Sequence, residues 1–165
     1  MSVLVRDAVD ADIPAIARVH VDSWRTSYKG IVPDEYLAAL SYESREATWR
    51  GHKGYRHLLV AERDGTISGF ISGCASREPE LGYGGEVTAI YLLHSQQGAG
   101  MGTALFNAMT QRLKADGYKS MHLWVLADNP ARHFYAAQGG QKFTEKTITL
   151  AGKPLLEHGY AWPQI

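Results

Sequence analysis

Glu86-Val87-Thr88-Ala89-Ile90-Tyr91-Leu92-Leu93-His94-Ser95-Gln96-Gln97-Gly98-Ala99-Gly100-Met101-Gly102-Thr103 decides how the rest of the chain is read. Its first half is dense in β-branched and aromatic residues, which predicts a buried strand. A short polar turn follows, three glycines alternate, and an amphipathic helix begins. Strand, glycine-rich turn and helix together make an anion cradle. Backbone N–H groups converge in the turn, and the helix start adds partial positive charge. Glycine lets an anion approach the backbone closely.

Two familiar anion signatures are excluded. The dinucleotide fingerprint needs a third glycine where Thr103 stands. The phosphate loop of ATPases needs a Gly-Lys-Ser/Thr run, and the turn holds no lysine. What remains is Gln97-x-x-Gly100-x-Gly102.

Working outward, the helix from about Gly100 to Ala115 carries Leu105, Phe106, Met109 and Leu113 as a core stripe. Gly117 closes it, and Met121 to Leu126 reads as the next strand. This run predicts a right-handed parallel crossover. Asn129 then caps a helix with Pro130 at its first position, and Gly139-Gly140 end it. Lys142 to Leu150 and Leu155 to Trp162 form a last antiparallel pair.

Upstream, Val3 to Arg6 is a first strand. Ile13, Ile16, Ala17, His20 and Trp24 recur at helical spacing up to a stop at Gly30. Pro33 to Leu37 begins a second helix, and Ser41 to Lys53 reads as a third. Leu58 to Glu62 and Ile67 to Ala75 are strands joined by an Asp64-Gly65 turn. Gly69 and Gly73 read as weak points or bulges. The predicted fold class is α/β (α+β), a mixed sheet covered by helices on both faces, in one domain over residues 1–165.

Composition narrows function by exclusion. Lys plus Arg equals Asp plus Glu at 17 each, so no net charge draws the chain to nucleic acid or an anionic membrane. Cys74 stands alone, which removes internal disulfides and cysteine-based metal sites. The seven histidines are scattered, and no metal is expected. No run approaches the ~20 apolar residues of a membrane span, and no signal peptide is read at the N-terminus. The expected location is cytoplasmic.

Two motifs carry a resemblance. Gln97-x-x-Gly100-x-Gly102 resembles the pyrophosphate-binding motif of the GNAT superfamily of N-acetyltransferases. Asn129-Pro130-Ala131-Arg132-His133-Phe134-Tyr135 resembles the Asn-x-x-Ala-x-x-Phe-Tyr signature of the same superfamily, with Arg132 where alanine is common. His94 stands where proline is frequent. The stretch from His20 to Leu37 resembles a bacterial subset that includes polyamine and aminoglycoside acetyltransferases.

The resemblance implies a mostly antiparallel twisted sheet with a central, splayed parallel pair. It implies acetyl-CoA as co-substrate and a primary amine of a small molecule as acceptor, attacked directly in a ternary complex. A peptide acceptor and a non-catalytic acyl-CoA sensor are the alternatives. It also leaves a homodimer open. For cofactor binding it points to Ile90 and Leu92 on the strand, to Gln97, Gly98, Ala99, Gly100, Gly102 and Thr103 in the turn, and to Asn129 and Arg132. Tyr135 matches the tyrosine that protonates the leaving thiolate. Glu86 is the candidate base, placed by strand alternation on the side of Thr88, Ile90 and Leu92. Asp22, Glu35 and His20 are alternative bases. Trp24, Tyr28, Tyr36 and Tyr83, with Glu35 near them, are candidate walls of the acceptor site.

Overall fold

The computed structural model describes residues 2–51, 56–98 and 100–165. In chain order the elements are β1 (Val3–Asp7), α1 (Ile13–Ser27), α2 (Asp34–Ala39), α3 (Tyr42–Gly51), β2 (His57–Arg63) and β3 (Thr66–Ala75). They continue with β4 (Gly85–Leu92), α4 (Met101–Ala115), β5 (Met121–Leu126), α5 (Ala131–Ala137), β6 (Gln141–Leu150) and β7 (Lys153–Trp162). The third helix falls where its spacing predicts, as far as Gly51; Lys53 lies outside the described residues.

One sheet runs in the order β1-β2-β3-β4-β5-β7-β6. Every neighbouring pair is antiparallel except β4 with β5. The predicted mixed sheet with a central parallel pair is therefore present. Helices cover both faces. On one, Leu105, Met109 and Leu113 of α4 pack with Ile71, Val87, Leu123 and Tyr160. On the other, Ile13, Ile16 and Val19 of α1 and Trp49 of α3 pack on Val60 and Phe70.

Gly69 and Gly73 in β3 have a packing reason. A Cβ at Gly69 would run into the Leu92 and Leu105 side chains, and one at Gly73 into Met109. Their hydrogen side chains let α4 sit down on the sheet.

Two irregularities in β4 set up everything that follows. First, Ala89 pairs with Ser72 but Val87 pairs with Gly73, so Thr88 is an extra residue in the strand. This β-bulge is fastened by the Thr88 hydroxyl, 3.2 Å from the Ser72 carbonyl oxygen and 3.0 Å from its Oγ. A bulge shifts the alternation of side chains by one. Glu86 consequently shares a face with Ala89 and Tyr91, not with Ile90 and Leu92. The alternation that placed Glu86 beside Ile90 and Leu92 is corrected by this one residue.

Second, β4 and β5 register only at Gly85–Met121 and Glu86–His122. Beyond Glu86 the two strands part, and a gap opens toward the glycine turn.

Candidate active site

The gap is lined by backbone as well as side chains. The Leu93 N–H bonds to the Ser68 carbonyl at 2.9 Å. By the two-residue rhythm of an antiparallel ladder, Tyr91 then faces β3, while the N–H and C=O of Ile90 and Leu92 face the gap. With no β5 partner there, these groups are free to pair with an extended amide chain, as a missing strand would. One of the four is occupied: the Leu92 carbonyl accepts a 3.1 Å bond from Ser23 Oγ of α1. The Leu92 N–H remains.

At the mouth of the gap lies the glycine turn. Gly98 and Gly100 adopt φ of 84° and 81°, which glycine alone takes without strain. Gly100 is the residue before α4, and no side chain caps that helix. Its first-turn N–H groups are left for an outside acceptor. No acidic residue stands in the first turn to repel an anion. Gly102 is needed for room, because a Cβ there would press on Leu92 Cδ1 at 3.2 Å. Ala99 lies outside the described residues.

Gap and turn belong to one cavity of about 910 Å³. Gln97, Gly98, Gly100, Gly102 and Thr103 line one end. Ile90, Leu92, Phe134, Tyr135 and Asn129 line the middle, with Trp24 of α1 and Tyr28 just beyond its end. Arg77, Glu86, Thr88, Trp124, Lys146 and Glu157 line the remainder, on the far face of the sheet.

Tyr135 is buried on α5, and burial pushes its phenol well above the ordinary tyrosine range. It therefore keeps its proton at neutral pH. Tyr28 and Tyr91 line the same cavity, so three tyrosines surround the gap. Asn129 is buried too. Its Oδ1 accepts the N–H of Ala131, the first residue of α5, at 2.9 Å, and its Nδ2 donates to the Tyr28 hydroxyl at 3.3 Å. The helix begins one residue later than the sequence predicts, with Pro130 rather than Asn129 at the N-cap, and the Asn129 side chain also fixes Tyr28.

Glu86 is 1% exposed and held on three sides. Arg77 donates from its backbone N–H (3.0 Å) and Nε (3.2 Å) to Oε1, and from Nη2 (2.7 Å) to Oε2. Burial acts to raise the pKa of this carboxyl, but the Arg77 bonds outweigh it and hold the group below the usual range. Beside it, His122 is fully buried, bonded through Nε2 to Ser76 Oγ at 2.7 Å, and burial keeps it neutral by lowering its pKa.

Lys146 lies 4.0 Å over the Trp124 ring and 3.6 Å from Glu78 Oε1. Trp124 Nε1 donates to that same Glu78 oxygen at 2.7 Å. Glu157 of β7 is half-buried, and burial raises its pKa.

A profile of the acetyltransferase (GNAT) family matches residues 17–139. The chain belongs to the GNAT acetyltransferase family. It is 39% identical over 163 residues to an uncharacterized N-acetyltransferase, YuaI, of Bacillus subtilis strain 168, covering 99% of this chain and 94% of that one. It is 28% identical over 128 residues to the L-methionine sulfoximine/L-methionine sulfone acetyltransferase of Pseudomonas aeruginosa, covering 77% of this chain and 71% of the relative. Among solved structures, the PaiA N-acetyltransferase of Thermoplasma acidophilum in complex with coenzyme A matches with a TM-score of 0.71 at 21% identity. That match covers 96% of this chain and 98% of the other. This GNAT protein is thus an N-acetyltransferase, an acyl-transfer enzyme.

Within the acetyltransferase, most residues singled out from the sequence converge on one cavity. Three do not. Glu35 is exposed on α2 and outside the wall. Tyr83 packs edge-on against Phe143, ring centroids 4.9 Å apart, and also lies outside it. Arg132 lies on α5 away from the wall, with its Nε buried and without a bonding partner among the described residues. His20 accepts the Trp49 indole N–H at Nδ1 (3.1 Å), and burial lowers its pKa to about 3, so it makes a poor base. Asp22 accepts the Tyr42 hydroxyl at 2.6 Å on the outer surface of α1.

Sequence reasoning missed Arg77, Trp124, Lys146 and Glu157. The one signal available was a charge set in the apolar strand Leu155 to Trp162. Among the described residues no cluster of His, Cys, Asp and Glu is arranged to hold a metal ion. No described helix is long and apolar enough to cross a membrane.

Proposed function

We propose that this acetyltransferase moves the acetyl group of acetyl-CoA to the primary amine of a small molecule, by direct attack with both substrates bound in its single domain. The observation that carries the reading is the continuity of the cavity. An uncapped helix start at one end joins, through a strand gap, a walled compartment holding both signs of charge.

The donor fits the first two parts. Its pyrophosphate bonds to the first-turn N–H groups of α4 and to the Gly98–Gly100 turn. Its amide arm pairs with Ile90 and Leu92 along the β4 edge. The Leu92 N–H then points where negative charge develops on the carbonyl oxygen during attack. Tyr135, protonated at working pH, supplies the proton that the departing sulfur takes up. Anchoring at the far end holds the thioester in reach of the acceptor.

The acceptor side is framed by Trp24, Tyr28, Trp124 and the β6–β7 hairpin. Arg77, tethered to Glu86, and Lys146 present positive charge, which suits an amine that also carries an acidic group. The Pseudomonas relative, named for methionine sulfoximine and sulfone, supports an amino-acid-like acceptor.

The test is release of free coenzyme A thiol from acetyl-CoA in the presence of L-methionine sulfone, spermidine, kanamycin or a short peptide. Turnover with L-methionine sulfone well above the peptide is the expected result. Preference for the peptide overturns the small-molecule reading, and no turnover with any amine overturns the whole.

A further inference from the structure

An acceptor amine arrives protonated and must lose a proton before it attacks. The carboxylate that takes it has to lie in the cavity, near the thioester, and be free to bind a cation. Glu86 meets the first condition only. It sits at the closed end of the gap, where β4 and β5 still pair, and Arg77 already engages both of its oxygens.

Glu157 stands elsewhere. It pairs across β7 with Leu126 on one side and Lys146 on the other. Counting up the parallel register from Glu86–His122 and passing over the extra residue Thr88, Leu126 is level with Tyr91, well inside the open part of the gap. Partners directly opposite in a ladder share a face. Glu157 therefore projects on the face of Trp124, Leu126 and Tyr91, the side of the sheet away from α4. It lines the cavity there, as do Tyr91 and Tyr135.

Its charge is also uncommitted. Arg77 pairs with Glu86, and Lys146 lies against Trp124 and Glu78, so neither cation forms an ion pair with Glu157. Among the described residues Glu157 has no hydrogen-bond or ion-pair partner.

We infer that Glu157 is the carboxylate that binds the acceptor's ammonium group and accepts its proton. The inference deepens the acetyl-transfer reading and rests on it. In the step, R–NH₃⁺ gives one proton to the Glu157 carboxylate. The freed lone pair forms the C–N bond at the thioester carbonyl, and the C–S bond breaks. Sulfur leaves with the Tyr135 proton, the nitrogen's second proton restores Tyr135, and Glu157 releases its own to solvent.

The groups facing Glu157 agree with this use. Burial, and beside it Glu78, raises its pKa; Lys146 from β6 and Arg77 from the segment before β4 act against the rise. The net upward shift makes it a better base than Glu86.

The experiment uses whichever amine of the L-methionine sulfone, spermidine, kanamycin and peptide panel the wild-type enzyme turns over fastest. Glu157→Gln should lower kcat/KM at neutral pH by about 100-fold or more. The acid limb of its pH profile should vanish, leaving a rate that climbs with the free amine. Stabilisation of the variant by coenzyme A in thermal melts should match wild type, which shows the fold and the donor end intact. Lys146→Met, which removes a facing cation, should move the wild-type acid limb to higher pH. A Glu157→Gln enzyme with a normal rate, or an acid limb that stays put in both variants, overturns the inference while leaving acetyl transfer standing. A wild-type enzyme that acetylates no amine overturns both.

Discussion

The Arg77 guanidinium and the Glu86 carboxylate form a two-pronged pair, Nε to Oε1 at 3.2 Å and Nη2 to Oε2 at 2.7 Å. The two ends of this pair live in different surroundings. Glu86 is 1% exposed, while the Arg77 side chain is 54% exposed. Removing one partner is therefore not equivalent to removing the other. Arg77→Ala strands a buried charge and should cost about 3 kcal/mol. Glu86→Gln leaves an arginine that water can solvate and should cost about 1 kcal/mol. Urea denaturation of both variants at pH 7 checks the order; equal losses would mean that water reaches Glu86 directly.

Tyr135 is held as a phenol by burial, so its proton is present across the pH range in which amines are acetylated. Tyr135→Phe keeps the ring among Tyr160, Phe134 and their neighbours and deletes only the hydroxyl. Turnover should fall by about 100-fold, within the range of a lost general acid. Coenzyme A affinity by calorimetry should hold within a factor of about two or three, the ordinary scatter of a conservative change. Unchanged turnover would move the acid to Tyr28 or Tyr91, which line the same cavity.

Much of this architecture could be read from the chain because it is local. The glycines at 98, 100 and 102, the Asn129–Pro130 lead into α5 and the apolar stripe of α4 each act through near neighbours in sequence, and each lies where its pattern put it to within one residue. What escaped was set by register. Nothing around Thr88 announces a bulge, yet that one extra residue moves Glu86 to the opposite face from Ile90. Lys146 and Glu157 stand opposite one another only because β6 and β7 pair in one register, and Trp124 joins that face only because β7 inserts between β5 and β6. Tyr83 misled for a related reason: an aromatic in a loop looked free to wall a pocket, whereas Phe143 of β6 claims it.

The glycine turn makes separable demands at its positions. Gly100 needs a positive φ, so Gly100→Ala strains the backbone by about 1 kcal/mol and tilts the N–H groups that receive the pyrophosphate. Gly102 needs only space, since its Cβ would touch Leu92 and Phe134. Gly100→Ala should raise KM for acetyl-CoA by roughly tenfold with little change in kcat, as expected for a contact made equally in ground and transition states. Gly102→Val should instead push on Leu92 and lower kcat. Initial rates with acetyl-CoA varied at saturating acceptor separate the two, and identical effects would show that the turn moves as one piece.

His20 gives the fold a pH dependence of its own. It is packed against Trp24, Trp49, Phe70 and Tyr91, and its Nδ1 accepts the Trp49 indole proton. Burial, with a smaller push from Arg45, lowers its pKa from 6.5 to about 3. The unfolded chain binds its proton first as pH falls, so the stability held by neutral His20 is complete above pH 6.5 and drains away toward pH 3. The limiting slope for one proton is about 1.4 kcal/mol per pH unit, which gives a loss near 2 kcal/mol at pH 5. Glu86 and Asp12, whose pKa values are lowered, add their own losses only as pH drops below the ordinary carboxylate range. The window between pH 6.5 and 5 thus belongs to buried imidazoles, His20 foremost and His122 with it. His20→Gln preserves an acceptor for Trp49 and cannot take up a proton. Denaturation free energies at pH 7 and pH 5 should differ by about 2 kcal/mol less in that variant than in wild type. An unchanged difference would show that water enters around His20 and lets it protonate in place.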